Sequence, residues 1–162
     1  MPTQRDSERI ALQEQVLRFQ QFDADIAWDI GNRLRTKALE RQQAIVIDIT
    51  LNHQLLFFCA MPKTAPDNAE WTRRKRNVVQ RFHRSSYAIG LTLERQGTTL
   101  AEKYGVANVD FAAHGGCFPV FIQEAMVGTI AISGLPQRAD HELIVEVLAD
   151  SLGENYAGLK LD

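Results

Sequence analysis

Two pairs of short apolar runs constrain this chain more than any other feature. Ala44-Ile45-Val46-Ile47-Asp48-Ile49-Thr50 is β-branched with one interior charge, and Leu55-Leu56-Phe57-Phe58-Cys59-Ala60 follows across Leu51-Asn52-His53-Gln54. That link fits a tight turn and is far too short for the crossover that parallel strands require, so the pair is expected to form a β-hairpin. Phe118 to Gln123 and Val127 to Ser133 repeat the arrangement, turning near Glu124-Ala125-Met126. Hairpins separated by helical stretches predict an α+β fold with an antiparallel sheet.

The helices are marked by caps and apolar spacing. Residues 6–15 are polar and predict a short exposed helix. Val16 to Phe19 either extends it or begins a short strand, and we favour the strand. Asp23 is the expected N-cap of a second helix, with Phe22 as staple and Ile26, Ala27, Ile30, Leu34 and Ala38 on one face. Asp67 and Glu70 suggest a capping box for a third helix running to about His83. Further helices are expected over Ser86 to Gln96 and Asp140 to Leu152, with a helical turn between Gly97 and Tyr104 and a loop at Ala113 to Gly116. Gly134-Leu135-Pro136 ends the last strand.

The formal net charge of −2 hides a strong asymmetry. From Trp71 to Leu93 there is no acidic residue, while Arg73, Arg74, Lys75, Arg76, Arg81 and Arg84 contribute six positive charges, leaving about −8 elsewhere. At about 100° per residue, Trp71, Val78 and Phe82 share a narrow stripe of the third helix, and Lys75 lies inside it. Arg74 and Arg81 border the stripe, whereas Arg73, Arg76 and Arg84 point away from it. Because the charges surround a helix whose apolar face is needed by the core, and the remainder would repel a polyanion, no nucleic-acid partner is expected. Lys75 has three readings: a snorkelling side chain, a partner for a buried carboxylate such as Asp48, or a group reaching a ligand anion in a pocket. Arg74 beside it suits a carboxylate or phosphate grip.

Other chemistry is sparse. His114-Gly115-Gly116 combines a loop histidine with two residues that allow close backbone approach to a ligand, although a tight turn into the Phe118 strand, with His114 hydrogen-bonded locally, is the simpler reading. His141-Glu142 begins like a zinc-protease helix, but Val145 occupies the second ligand position, so Asp140 and His141 are taken as capping and surface residues. His53 belongs to an exposed turn, and His83 to the end of the basic helix. Cys59 and Cys117 lack metal or redox spacing and are expected to be reduced core thiols. The highly charged N-terminus is unlike a signal peptide and no run approaches a membrane span, so a cytoplasmic protein without membrane contact is expected.

Several segments occur together in one order: Phe22-Asp23, Ala27-Trp28, Val46-Ile47-Asp48-Ile49, Pro66-Asp67-Asn68, Trp71, Arg74-Lys75-Arg76-Asn77-Val78-Val79, Arg84-Ser85-Ser86, Ala113-His114-Gly115-Gly116, Pro119-Val120, Gly128-Thr129, Ser133-Gly134-Leu135-Pro136 and Asp140-His141. On these the chain resembles the small bacterial and fungal family of uncharacterised "haem-degrading domain-containing" proteins, within the wider GlcG/HbpS-like group. The resemblance spans residues 15–152 of a single expected domain, 1–162. It implies a profilin-like fold, a central antiparallel sheet with helices on its faces, and assembly as homo-oligomers. With the residues read above, three functional readings remain. One is a module for a small anionic ligand, with Lys75, Arg74, His114, Gly115, Gly116 and the Ser133-Gly134 turn around a pocket. Another is haem binding or degradation, with His114 as axial ligand, the only metal role foreseen, and Arg74 and Lys75 for the propionates. The third is a structural or adaptor oligomer.

Overall fold

The computed structural model describes residues 2–162. Among these residues the elements run α1 (Pro2–Val16), α2 (Ala24–Glu40), β1 (Val46–Leu51), β2 (Gln54–Ala60), α3 (Pro66–Phe82), α4 (Ser86–Gln96), α5 (Leu100–Tyr104), β3 (Cys117–Ile122), β4 (Ala125–Ser133), α6 (Gln137–Leu152) and α7 (Tyr156–Leu159). Both hairpins form, and they join through their inner strands into one antiparallel sheet of order β2-β1-β4-β3. The first turn, Asn52-His53, holds both residues at positive φ, which matches the right-handed twist of a two-residue hairpin.

Alternation in β1 divides the sheet into two chemically different faces. Ile45, Ile47 and Ile49 join the main core with Ile30, Leu34, Ile130, Ile132, Ile144 and Leu148, under α2 and α6. Gly31 permits the close approach of α2, because a Cβ there would stand 2.4 Å from the Phe57 ring. The opposite face, beneath α3, buries Asp48, Thr50, Thr129 and Lys75 beside the small cluster of Val79, Cys117 and Ala131. A polar layer inside a fold is tolerated only when its groups find partners. Here Thr50 and Thr129 share a hydrogen bond of 2.6 Å, and Arg76 pairs with Asp48 at 2.7 Å.

Several expectations are corrected. The first helix is longer than 6–15 and is docked, with Ile10, Gln13 and Glu14 buried. These positions recur three and four residues apart, so one face packs inward even though much of it is polar. Val16 closes that helix, and Phe19 forms only an isolated parallel bridge to Ile122 rather than a strand. The third helix is not capped by Asp67 and Glu70. Its N-cap is Ala65, Pro66 opens the first turn, and Asn68 Oδ1 accepts the Ala65 N–H at 2.9 Å. Asp140 and His141 are core residues rather than surface caps, because α6 begins at Gln137 and both fall on its inner face. Arg76 and Arg84 do not simply face solvent: they neutralise buried Asp48 and Glu14. Cys117 is buried while Cys59 is half-buried, and both are free.

Candidate functional site

The buried lysine organises one end of the sheet. Lys75 sits at the middle of α3 with 3% of its side chain exposed, directed inward rather than snorkelling. Its ammonium donates to Asp140 Oδ2 at 3.1 Å, the Ile132 carbonyl at 2.7 Å and the Gly115 carbonyl at 3.1 Å. An ammonium has three protons, and all three are engaged by the protein. The carboxylate partner is therefore Asp140 and not Asp48. Asp140 Oδ1 in turn accepts the Leu135 N–H at 3.1 Å. Burial pushes the Asp140 carboxyl up to about 6, opposed by Lys75, and the same burial lowers the Lys75 pKa.

This clamp explains the His114-Gly115-Gly116 loop. Gly116 lies at φ +126°, and a Cβ there would stand 2.4 Å from Lys75 Nζ and 2.7 Å from the Ile132 carbonyl. The glycine is needed so that the loop can pass over the lysine tip.

Above the clamp lies a cleft of about 320 Å³ lined by Asp67, Asn68, Trp71, Lys75, His114, Gly115, Ser133, Gly134, Leu135, Gln137 and Asp140. It lies between the first turns of α3 and α6; α6 has no side-chain cap, and its free N–H groups give that wall a positive polarity. Of the residues named from sequence, Lys75, His114, Gly115, Ser133 and Gly134 converge here. Gly116 is not in the wall but lies behind it against Lys75. Arg74 is outside: its Nε and Nη2 donate to the Asn108 carbonyl at 3.1 and 2.6 Å, and its guanidinium carbon sits 4.5 Å from the Trp71 ring centroid. Arg74 therefore steadies Trp71. His114 meets the same indole edge-on, with centroids 5.4 Å apart. Partial burial lowers the His114 pKa, helped by the Lys75 and Arg74 charges, which favours the neutral ring.

Sequence reasoning missed Asn68, Trp71 as a wall, and Gln137. Both carboxamides have a fixed orientation. Asn68 Oδ1 takes the Ala65 N–H at 2.9 Å, and Gln137 Oε1 takes the Gly115 N–H at 3.0 Å. The hydrogen bonds of both carboxamides run through their oxygens, which leaves the two NH₂ ends and the Ser133 hydroxyl in the cleft wall without a protein acceptor among the described residues. The cleft therefore presents two amide NH₂ groups and the Ser133 hydroxyl to a ligand, beside the Asp67 carboxylate.

The sequence model of the family described as "Haem degrading protein HbpS-like" matches residues 22–149. The chain belongs to the HbpS-like family. Curated relatives are UPF0303 proteins of Azotobacter vinelandii, 54% identical over 100% of this chain and 98% of the relative, and of Acidobacterium capsulatum, 51% identical over 99% and 98%. Among solved structures, the Ybr137w protein superposes with a TM-score of 0.83 at 27% identity, covering 91% of this chain and 87% of the other. HbpS superposes at 0.65 with 17% identity, covering 85% and 94%, and a PduOC–haem complex at 0.64 with 16% identity, covering 74% and 87%. The last two likenesses concern the fold alone. The HbpS-like match spans α2 through most of α6, and so includes every residue lining the cleft.

Proposed function

We propose that this HbpS-like protein binds a small organic molecule rich in hydrogen-bond acceptors, a monocarboxylate or related carbonyl compound, in the cleft between α3 and α6. The observation that carries the reading is the orientation of Asn68 and Gln137, each tied by its oxygen to a backbone N–H so that its NH₂ is left for a ligand. The Ser133 hydroxyl adds a further donor, and Trp71 supplies one flat apolar wall. Lys75 does not grip the ligand, since its protons are spent on Asp140, Ile132 and Gly115. It holds the floor in place. With Lys75 cancelled by Asp140, the Asp67 carboxylate leaves the lining with one net negative charge, which repels a phosphate dianion more than a monocarboxylate and a neutral carbonyl compound not at all.

A thermal-shift series with acetate, pyruvate, lactate, benzoate and phosphate tests this reading. A monocarboxylate should raise the melting temperature more than phosphate does at equal ionic strength. Asn68→Asp should remove that rise while keeping the acceptor for Ala65. Equal responses in both proteins would refute the assignment.

Haem is a second reading, favoured by one observation: burial and the Lys75 and Arg74 charges favour the neutral His114 ring, which offers a nitrogen lone pair to a metal. The rest of the cleft does not fit the group. Its apolar lining amounts to Trp71 and Leu135, and Arg74, the candidate propionate partner, is committed to Asn108. A porphyrin slot is absent from the described residues of one chain. Haemin titration should accordingly give no Soret shift that depends on His114, and a shift abolished by His114→Ala would reverse this judgement.

A further inference from the structure

A second cavity, of about 480 Å³, opens beneath the flank of α3 and shares no lining residue with the cleft between α3 and α6. Small-molecule sites commonly occupy roughly 300–1,000 Å³. α3 packs over β4, β3 and β1, and β2 lies beyond it at the sheet edge. The trough left between them is floored by Asp48 and Thr50 of β1. Its walls are Leu55 and Phe58 of β2 and Arg76 of α3, and His53 of the hairpin turn stands at one end.

Folding alone does not account for the residues of this trough. Asp48 is 5% exposed, yet only its Oδ2 is paired, accepting from Arg76 Nη1 at 2.7 Å. Its Oδ1 is buried with no hydrogen-bond partner among the described residues, which is costly for a carboxylate. Arg76 engages one of its five N–H groups in that contact, and the others have no protein acceptor among the described residues. Leu55 and Phe58 pair with Thr50 and Asp48 across the strands, so they share that face, where they remain 52% and 47% exposed. His53 holds φ at +65° in the second position of a two-residue turn, where glycine is the favoured residue.

We infer that the trough is a second ligand site, for an α-amino acid with a branched aliphatic or aromatic side chain. The ammonium donates to Asp48 Oδ1, the carboxylate accepts from the uncommitted N–H groups of Arg76, and the side chain lies against Leu55 and Phe58. An acid and a base in direct contact match an ammonium and a carboxylate carried on one α-carbon. Arg76 is held by a single hydrogen bond on a flexible stem, so it can turn about that contact and uncover Oδ1. The two charges also discriminate. A simple carboxylate meets Asp48 and a simple amine meets Arg76, each with one like-charge contact, whereas a zwitterion satisfies both.

Titration by ¹H–¹⁵N NMR with L-leucine, L-phenylalanine and the analogues of each that lack the amino or the carboxyl group tests the inference. At least one of the two amino acids should shift the His53, Leu55 and Phe58 amides saturably and leave the Trp71 indole N–H unmoved. Removing either charged group from that amino acid should weaken binding at least ten-fold. Phe58→Ser, at a half-exposed residue, should weaken it at least five-fold while keeping the native spectrum, and Asp48→Asn at least ten-fold. Should Asp48→Asn lose its fold, the two analogues report the same charge recognition on the unaltered protein. No saturable shift of these amides up to about 10 mM amino acid, analogues that bind as well as their parent, or undiminished affinity in Phe58→Ser overturns the inference.

Discussion

Lys75 Nζ stands 3.1 Å from Asp140 Oδ2, and that contact ties the middle of α3 to the first turns of α6 across the end of the sheet. Around it, the Gly115 carbonyl, the Ile132 carbonyl and the Leu135 N–H are drawn to the same two side chains. The pair is a scaffold for the cleft, and its charges are consumed in building it.

Removing one partner should therefore be costly. Lys75→Met leaves a buried carboxylate without compensation, and is expected to lower stability by about 3–5 kcal/mol. Lys75→Met/Asp140→Leu should recover most of that loss, because two apolar groups replace two desolvated charges. Urea denaturation of the three proteins measures the difference.

Gly116→Ala tests the loop geometry. The backbone strain at φ +126° should cost about 1–3 kcal/mol, and the clash with Lys75 Nζ and the Ile132 carbonyl adds to it. A melting temperature equal to wild type would show that the loop does not pass over Lys75 as described.

The hairpins were legible because β-branched runs joined by short turns have few other uses, and the Asp23 cap formed as expected, accepting the Ile26 N–H at 2.9 Å. Lys75 was legible as an anomaly on an apolar stripe. Its partner was not, since Asp140 near a proline looks like a helix-start residue. The signal was present in spacing: Asp140, Ile144 and Val147 recur at i, i+4 and i+7, so Asp140 shares the buried face. Asn68 and Gln137 were not legible, because their importance lies in which end of each amide is occupied. That depends on backbone groups brought together only by folding.

His141 should make stability fall in acid. It is fully buried, and its Nε2 lies 2.7 Å from Gln13 Oε1 while Gln13 Nε2 donates to the Leu159 carbonyl at 2.7 Å. Burial, helped by Arg138, depresses the His141 pKa to about 3 from an ordinary 6.5. Between those values the unfolded chain binds the proton and the folded chain does not, so this contribution is intact above about pH 6.5 and declines as pH falls toward 3. At about 1.4 kcal/mol per pH unit the loss reaches several kcal/mol. His141→Gln, which cannot titrate, should show a flatter dependence of unfolding free energy on pH between 6.5 and 4; parallel curves would exclude the assignment.

The cleft can be examined directly by ¹H–¹⁵N NMR titration of wild type, Asn68→Asp and Ser133→Ala with pyruvate, lactate, benzoate and phosphate. Saturable shifts of the Trp71 indole N–H and the Gly115 and Gly134 amides are expected with at least one monocarboxylate, weaker with phosphate, and reduced at least ten-fold in affinity in both variants. Undisturbed signals for every carboxylate, or equal affinity in wild type and Asn68→Asp, would contradict a ligand site between α3 and α6.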